Sequence, residues 1–461
     1  MALIKSISGI RGTIGGFAGD NLTPQDVVEC AAAFGFWTLK KTKNPKIVIG
    51  RDARISGEMV SALVVNTLRM LGITVIDLGL STTPTVEIAV PLEQAGAGII
   101  LTASHNPKQW NALKFLNEKG EFISAQDGRE VLQLIEDNAI QYATVDDLGS
   151  YEVRTDYIQK HIDQIFALPL VDVEAIKAKQ FKVVVDAVNS TGAISVKPLL
   201  EQLGCEVVVL NGETTGVFAH NPEPLPENLT QLSQAVLRER ADIGFAVDPD
   251  VDRLALMRED GEAFGEEYTL VAVSDYVLRH TPGNTVSNLS STRALRDVTE
   301  KHGQTYTAAA VGEVNVVTQM KATNAPIGGE GNGGIIYPAL HYGRDALVGI
   351  ALLLSHLAHE GVSVSQLRNQ YPDYYILKNK IQLTPEINLE HMLVQLQQKY
   401  SHEQLNTVDG LKIDLEEGWI HLRKSNTEPI IRIYTEGNST VIAENLANKI
   451  KSDMAAILRA N

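Results

Sequence analysis

Thiols are scarce in this 461-residue chain, whose only cysteines are Cys30 and Cys205, each in an apolar helix or strand context. Two such residues are expected to be buried and reduced, which argues against a disulfide framework and against a cysteine-ligated metal site. Basic residues are also in deficit: 40 Lys and Arg stand against 56 Asp and Glu, for a net charge of −16. Nucleic acid and anionic membrane both call for basic surfaces, so neither is expected as a partner. An anionic substrate would instead need local clusters of Arg and Lys. No apolar run reaches membrane-spanning length, and Met1-Ala2-Leu3-Ile4-Lys5-Ser6 lacks the plan of a secretory signal. The expectation is a cytoplasmic enzyme acting on a small molecule.

What is present suits a multidomain globular chain. Hydrophobic content is 44% and charged content 21%, ordinary values for a protein with packed cores. The length calls for roughly three or four domains. Three segments repeat one pattern of strand, polar turn, amphipathic helix, glycine stop and second strand. The first runs from Lys46 to Leu78 with its stop at Gly72, the second from Lys182 to Leu210 with Gly204, and the third from Asn284 to Ala308 with Gly303. Glycine past a helix end accepts the left-handed cap without a Cβ clash. Strand–helix–strand units at this spacing predict three related α/β domains with mixed, mainly parallel sheets. The C-terminal part reads differently. Leu411–Leu415 and Trp419–Arg423 alternate around Glu416-Glu417-Gly418 as a hairpin, a third strand covers Ile430–Tyr434, and a helix follows from Thr440 to Leu458. The polar stretch 386–406 is helical in pattern. This predicts a smaller α+β domain, with the units at 1–151, 152–260, 261–372 and 373–461.

Four polar loops carry candidate chemistry. The apolar run Gly96–Leu101 ends in Thr102-Ala103-Ser104-His105-Asn106-Pro107, with Lys114 ten residues beyond the serine. A serine in a strand-end loop, with an imidazole beside it and a lysine close behind, has the makings of a nucleophile or phosphate carrier. Ser and Asn-Pro are also ordinary turn residues. The second loop is Asp248-Pro249-Asp250-Val251-Asp252-Arg253. Three carboxylates at alternate positions can converge on a hard cation such as Mg²⁺. A calcium EF-hand is disfavoured because Arg253 stands where the loop needs glycine, and the flanks read as strands. The third loop, Gly328-Gly329-Glu330-Gly331-Asn332-Gly333-Gly334, offers close backbone approach with acceptors and donors for sugar hydroxyls. The fourth, Arg423-Lys424-Ser425-Asn426-Thr427-Glu428-Pro429 with Arg432 beyond it, reads as a phosphate cradle. Arg11, in Ser8-Gly9-Ile10-Arg11-Gly12, is a further anion-binding candidate.

These four loops, in this order, resemble the α-D-phosphohexomutase family over essentially the whole chain. The resemblance implies a heart-shaped enzyme of four domains, the last closing over the substrate. It implies a phosphoserine at Ser104, with Mg²⁺ held by Asp248, Asp250, Asp252 and the serine's phosphate. His105 and Lys114 would attend the reacting groups, and Arg11 would contact the transferring phosphoryl group. Lys114 would carry the proton, its pKa lowered by burial beside cations. Arg253, Glu330 and Asn332 would bind the substrate, and Arg423, Ser425, Asn426, Thr427 and Arg432 the phosphate that is not transferred. The sugar loop and the length are most similar to the bacterial phosphoglucosamine mutases of that family. The expected reaction interconverts glucosamine 6-phosphate and glucosamine 1-phosphate through a sugar bisphosphate, which also serves as activator. Mannose and glucose phosphates are the alternative substrates, and the enzyme is expected as a monomer or homodimer. Asn332 and Gly334 stand where many members carry Ser and His, and Ala112 stands where glycine is usual.

Overall fold

Glycine ends the helix of every repeat in the computed structural model, which describes residues 3–6, 9–137, 140–383, 388–424 and 430–460. Gly72, Gly204 and Gly303 have left-handed φ of 81°, 76° and 69°. They lie just past helices Gly57–Met70, Gly192–Gln202 and Ala294–Lys301. In each repeat the two strands joined by that helix pair in parallel: Lys46–Arg51 with Thr74–Leu80, Lys182–Asp186 with Glu206–Leu210, and Thr285–Asn288 with Tyr306–Ala309. A third strand adds in parallel on the other side of the first strand, as Ala97–Leu101, Ile243–Val247 and Ile327–Glu330. The chain then turns back into an antiparallel fourth strand, Trp110–Leu116, Leu254–Arg258 or Gly334–Ile336. All three sheets therefore share the order second, first, third, fourth. Parallel pairs form the interior and an antiparallel strand follows the functional turn.

The first sheet is widened to seven strands. Ile4–Ser6 and Gly9–Thr13 add beyond Trp110–Leu116, and Tyr151–Val153 adds in parallel beside Thr74–Leu80. That last strand straddles the join expected at 151. The C-terminal sheet is antiparallel, in the order Tyr375–Gln382, Ile430–Gly437, Gly418–Lys424, Leu411–Asp414, Gln404–Asn406. Helices Leu389–Lys399 and Thr440–Ala460 contribute Met392, Leu396, Leu446, Ile450 and Met454 to its core. The helix expected to reach residue 406 stops at Lys399. Gln404–Asn406 instead pairs with Lys412–Asp414 as an edge strand, a tertiary contact that overrides the local helical pattern.

The apolar cores do not follow the repeats one to one. Helix Ala346–Glu360 is apolar on nearly every side, and its residues from Ala346 to Leu357 are all buried. A helix of that kind belongs inside a core and not on a surface. It joins the second and third units into one apolar cluster running from Ile162 to Tyr371. Cys30 and Cys205 are both free and buried. Among the described residues no helix is long and apolar enough to cross a membrane.

Candidate active site

The connection between third and fourth strands lies at the same point of each repeat, beyond the carboxyl end of a parallel strand. That is where open α/β sheets place their ligands. In the first unit it is the Ser104 loop, in the second the aspartate loop and in the third the glycine-rich loop, and backbone hydrogen bonds tie the aspartate loop and the strand after it to the first and third units. The Thr83 N–H donates to Asp250 O at 2.9 Å, the Leu254 N–H to Gly333 O at 3.1 Å, and the Ala346 N–H to Val251 O at 3.2 Å. Gly333 has a φ of 81°, and a Cβ there would lie 2.2 Å from Leu254 O, so the contact between loops requires glycine.

Ser104 sits in the left-handed region at φ 50°, a conformation held by its surroundings. Its N–H donates to Thr102 Oγ1 at 2.9 Å, and Thr102 Oγ1 donates to Asp52 Oδ2 at 2.6 Å. The buried Arg54 guanidinium gathers the rest of the loop. It donates to Asp52 Oδ2 at 2.9 Å, to Pro107 O at 2.9 Å, to Trp110 O at 3.0 Å and to Asn106 O at 2.7 Å, and also to Ser104 O. Ser104 Oγ is thereby aimed across the domain boundary and donates to Asp248 Oδ2 at 2.7 Å. His105 Nδ1 lies 3.3 Å from the same hydroxyl. Burial, with Arg253 and Arg344 nearby, drives the His105 pKa down to about 2, so the ring is neutral.

Asp248, Asp250 and Asp252 are fully buried, and one carboxylate oxygen from each lies within 4.8 Å of the others. Asp248 Oδ1 accepts the N–H groups of Asp252 and Arg253, each at 3.1 Å, which closes the turn. Val251, a β-branched residue, is held there at φ 62°. Burial and its two acidic neighbours raise the Asp248 pKa well above the carboxylate range. Asp250 Oδ1 and Asp252 Oδ1 are buried without a hydrogen-bond partner. Oxygen donors crowded this closely, two of them orphaned, fit a small divalent cation. Strands Ile243–Val247 and Leu254–Arg258 flank the loop, where an EF-hand would need helices.

Lys114 departs from expectation. Its ammonium lies 2.9 Å from Asp250 Oδ2 and 3.9 Å from Asp252 Oδ2. Burial works to lower its pKa, but the two carboxylates outweigh burial and hold it above the usual lysine value. In this state Lys114 is a charged ion-pair partner, not a neutral base.

Guanidinium groups surround the serine and the aspartates. Arg11, on strand Gly9–Thr13, donates to Asn106 Oδ1 at 3.1 Å. Burial and the neighbouring Arg253 and Arg54 lower its pKa, the mark of cations packed together. Arg253 reaches Glu223 Oε1 at 3.3 Å, and its buried Nε has no hydrogen-bond partner. Arg344, which carried no signal in the sequence, donates to Asp252 Oδ2 at 2.6 Å, Glu313 Oε2 at 2.9 Å and Glu330 Oε2 at 2.9 Å. It ties the aspartate loop to the glycine-rich loop. Glu330 also accepts from Asn288 Nδ2 at 3.0 Å and from the Gly312 N–H at 3.2 Å, so both its oxygens are engaged. Asn332 Oδ1 accepts the Gly334 N–H at 3.2 Å. The signal that Asp52 and Arg54 gave was their position alone, in Arg51-Asp52-Ala53-Arg54 at the carboxyl end of the first repeat strand, which does not separate a loop-gripping arginine from a solvated one.

Arg423 and Arg432 lie apart from this centre, on the C-terminal sheet. They are directly paired across strands Gly418–Lys424 and Ile430–Gly437, which puts two like charges on one face. Such a pair is unfavourable without an anion or counter-charge. Arg423 Nε is 3.1 Å from Asp409 Oδ2. Asp409 Oδ2 also accepts the Val311 N–H at 3.1 Å, one residue before the Gly312 N–H that binds Glu330. Ser425, Asn426 and Thr427 lie outside the described residues.

Four family models match the chain in sequence order. Phosphoglucomutase/phosphomannomutase α/β/α domains I, II and III cover residues 3–141, 158–261 and 265–375, and the C-terminal domain covers 384–452. The chain belongs to the α-D-phosphohexomutase family. It is 35% identical over 436 residues to a phosphoglucomutase/phosphomannomutase of Thermococcus kodakarensis, covering 93% of this chain and 94% of that protein. It is 32% identical over 460 residues to a phosphoglucosamine/phosphogalactosamine mutase of Sulfurisphaera tokodaii, covering 98% and 99%. A solved phosphoglucomutase/phosphomannomutase family protein of Burkholderia thailandensis superposes with a TM-score of 0.87 at 26% identity, covering 98% and 97%. Of the three departures from the phosphohexomutase pattern, those at 112 and 334 have different consequences. Ala112 is buried opposite Arg11, in a strand that needs no unusual backbone. A Cβ at Gly334 would lie 2.4 Å from Arg344 Cδ. Arg344 therefore fills the space that a side chain at 334 would take.

Proposed function

We propose that this phosphohexomutase interconverts glucosamine 6-phosphate and glucosamine 1-phosphate, with Ser104 as the phosphoryl carrier and a sugar bisphosphate as intermediate and activator. The observation that carries the phosphoryl-transfer reading is the 2.7 Å contact of Ser104 Oγ with Asp248, beside two aspartates with orphaned oxygens; the choice of glucosamine is supported by the name of the relative from Sulfurisphaera tokodaii. Asp248, Asp250 and Asp252 would hold Mg²⁺, which when bound neutralises charge on the phosphoryl oxygens. Arg11, Arg253 and Arg344 supply the fixed positive field that an overall acidic chain lacks. Lys114, protonated beside Asp250, would give its proton to the oxygen that leaves phosphorus and recover one from the hydroxyl that attacks. Neutral His105 would hold the serine hydroxyl in place. The glycine-rich loop would meet the sugar through Asn332 and the backbone, while Glu330 serves mainly to seat Arg344. Arg423 and Arg432, with Ser425, Asn426 and Thr427, would grip the phosphate that stays on the sugar.

A second reading, glucose and mannose phosphates as substrates, is favoured by the name of the relative that is 35% identical. One experiment tests both readings. The ratio of kcat/KM for glucosamine 6-phosphate to those for glucose 6-phosphate and mannose 6-phosphate is measured with the matching bisphosphate present. Intact mass of wild type and Ser104→Ala is recorded alongside. Preference for glucosamine phosphate, with a phosphoryl increment only in the wild type, is expected. Preference for mannose or glucose phosphate moves the assignment to the second reading. A fully active Ser104→Ala removes the carrier role.

A further inference from the structure

Behind the aspartate loop, the first three units meet at a cluster of side chains that phosphoryl transfer does not use. Helix Thr83–Leu92 brings Thr85 and Glu87 from the first unit. Helix Tyr157–Phe166 brings His161 from the second. His341 and Asp345 come from the third, on the turn that leads into helix Ala346–Glu360. His161 Nε2 lies 2.9 Å and His341 Nε2 3.3 Å from the same oxygen, Asp345 Oδ2. The other oxygen, Oδ1, caps the helix by accepting the N–H groups of Leu347 and Val348. One donor atom each from His161, His341 and Asp345 lies within 4.8 Å of the other two. The two rings stand nearly perpendicular, at 89°.

The far side of each ring is also arranged. His161 Nδ1 is 2.9 Å from Thr85 Oγ1, and His341 Nδ1 is 3.3 Å from Glu87 Oε2. Glu87 is 1% exposed, and neither of its carboxylate oxygens has a hydrogen-bond partner. Among the described residues no lysine or arginine pairs with Glu87 or Asp345. Two buried carboxylates with only imidazoles for company need positive charge, either as a proton on a ring or as a bound cation.

We propose that His161 Nε2, His341 Nε2 and Asp345 Oδ2 bind a divalent transition-metal ion of the zinc type, a second metal site distinct from the aspartate loop. Two imidazoles and one carboxylate form a borderline-soft donor set that suits zinc and disfavours magnesium or calcium, which take oxygen ligands. Bonds of about 2.0–2.2 Å in a tetrahedron set ligand atoms a little over 3 Å apart, close to the spacing here. A ligating histidine commonly donates its other N–H to a carboxylate, hydroxyl or carbonyl; Thr85 stands in that place behind His161, and Glu87 faces His341 Nδ1 at 3.3 Å. The ion would staple the first three units through one ligand or support from each. Asp345 directly follows Arg344, and Thr83 Oγ1, two residues before Thr85, donates to Asp250 Oδ2 at 2.6 Å. The staple would therefore fix the frame on which the aspartate loop is held.

The full chain is stripped with chelator, supplied with excess Mg²⁺ to occupy the aspartate loop, and titrated with Zn²⁺ and, separately, Co²⁺. One tightly held equivalent is expected, with a visible ligand-field band for Co²⁺ and a higher Tm. His161→Gln and His341→Gln should lose that equivalent, while Asp250→Asn should keep it. Absence of uptake by the wild type, or uptake that persists in both glutamine variants, overturns the site. If the glutamine variants do not fold, Thr85→Val serves instead, since it removes the acceptor behind His161, together with a 2.7 Å contact to Thr82 Oγ1, and leaves all three ligands in place. Its zinc affinity should fall about 10- to 100-fold, and an unchanged affinity would equally overturn the proposal.

Discussion

Arg54→Met removes the group that organises the serine loop while leaving a side chain of similar length. Arg54 is 1% exposed, and its guanidinium serves one carboxylate and four backbone carbonyls. Deleting it strands Asp52, which is fully buried and whose pKa burial already raises despite the charge of Arg54. Breaking a buried pair from one side costs about 3–5 kcal/mol. For a domain of this size each kcal/mol moves Tm by about 2–4 °C, so a loss of roughly 6–20 °C is expected in the transition that reports the first unit. The catalytic effect should be separate and specific. Without the carbonyl contacts, only the bond of the Ser104 N–H to Thr102 Oγ1 is left to hold the loop backbone at its positive φ, and the hydroxyl can swing away from Asp248. Misplacing a reacting group by about 1 Å costs roughly a hundredfold in rate. The assay is kcat for the phosphosugar interconversion beside calorimetry, with Asp52→Asn/Arg54→Met as the rescue. Removing the stranded charge should recover much of the Tm but little of kcat, because the loop stays unpinned. A single variant with unchanged kcat, or a double variant that restores kcat, would refute the role given to Arg54.

Three further outcomes are expected. Lys412 is buried, with its ammonium 2.8 Å from Leu289 O across the junction with the third unit, and burial lowers its pKa from 10.5 to about 8 against the pull of Asp414 and Glu436. The folded state thus binds this proton more weakly than the unfolded chain. Its contribution is complete above pH 10.5 and is lost as pH falls through 8, so Tm of the C-terminal unit should rise between pH 8 and 10.5, and Lys412→Met should flatten that rise. Arg423→Ala should raise KM and lower kcat/KM by about one to two orders of magnitude, the weight of a charge-assisted phosphate contact; unchanged KM with both Arg423 and Arg432 removed would rule out the clamp. Gly334→His should lower both Tm and kcat, since a side chain there displaces Arg344; an activity gain would mean that Arg344 does not set the loop.

Much of this was legible in the sequence because the repeats are written in glycine and in β-rich runs of fixed spacing. Gly72, Gly204 and Gly303 stop their helices as read, and the loops holding Ser104 and Asp248 stand where the strand patterns end. What escaped was of two kinds. Arg54 and Arg344 act through tertiary contacts with residues far away in the chain, and an arginine after a strand looks the same whether it grips a loop or faces water. The electrostatics of Lys114 also escaped. Burial and neighbouring cations argued for a low pKa, but the carboxylates that decide its charge belong to another unit. Their 2.9 Å approach is a property of the assembled interface.

The equivalence of the three loops explains how such different chemistry can meet at one point. Each repeat delivers its third-strand turn at the carboxyl edge of its sheet, so joining three copies brings three turns face to face. The scaffold fixes position and leaves residue identity free: a hydroxyl in the first, carboxylates in the second, glycines and an acid in the third. Cross-unit bonds then do the registering, with Thr83 and Lys114 on Asp250, Gly333 on Leu254, and Arg344 on Asp252 and Glu330. The second and third units share one apolar core, so the pair they form is rigid, and the first is fastened to it through the aspartate loop and the His161–His341–Asp345 cluster. The C-terminal unit has its own core and meets the third unit through polar contacts such as Arg293 with Asp414 and Gly418 O. Polar interfaces between units yield more readily than apolar ones. If the proposed bisphosphate turns within the site, the join before Tyr375 is where the units would part, while the three-loop centre would keep its geometry.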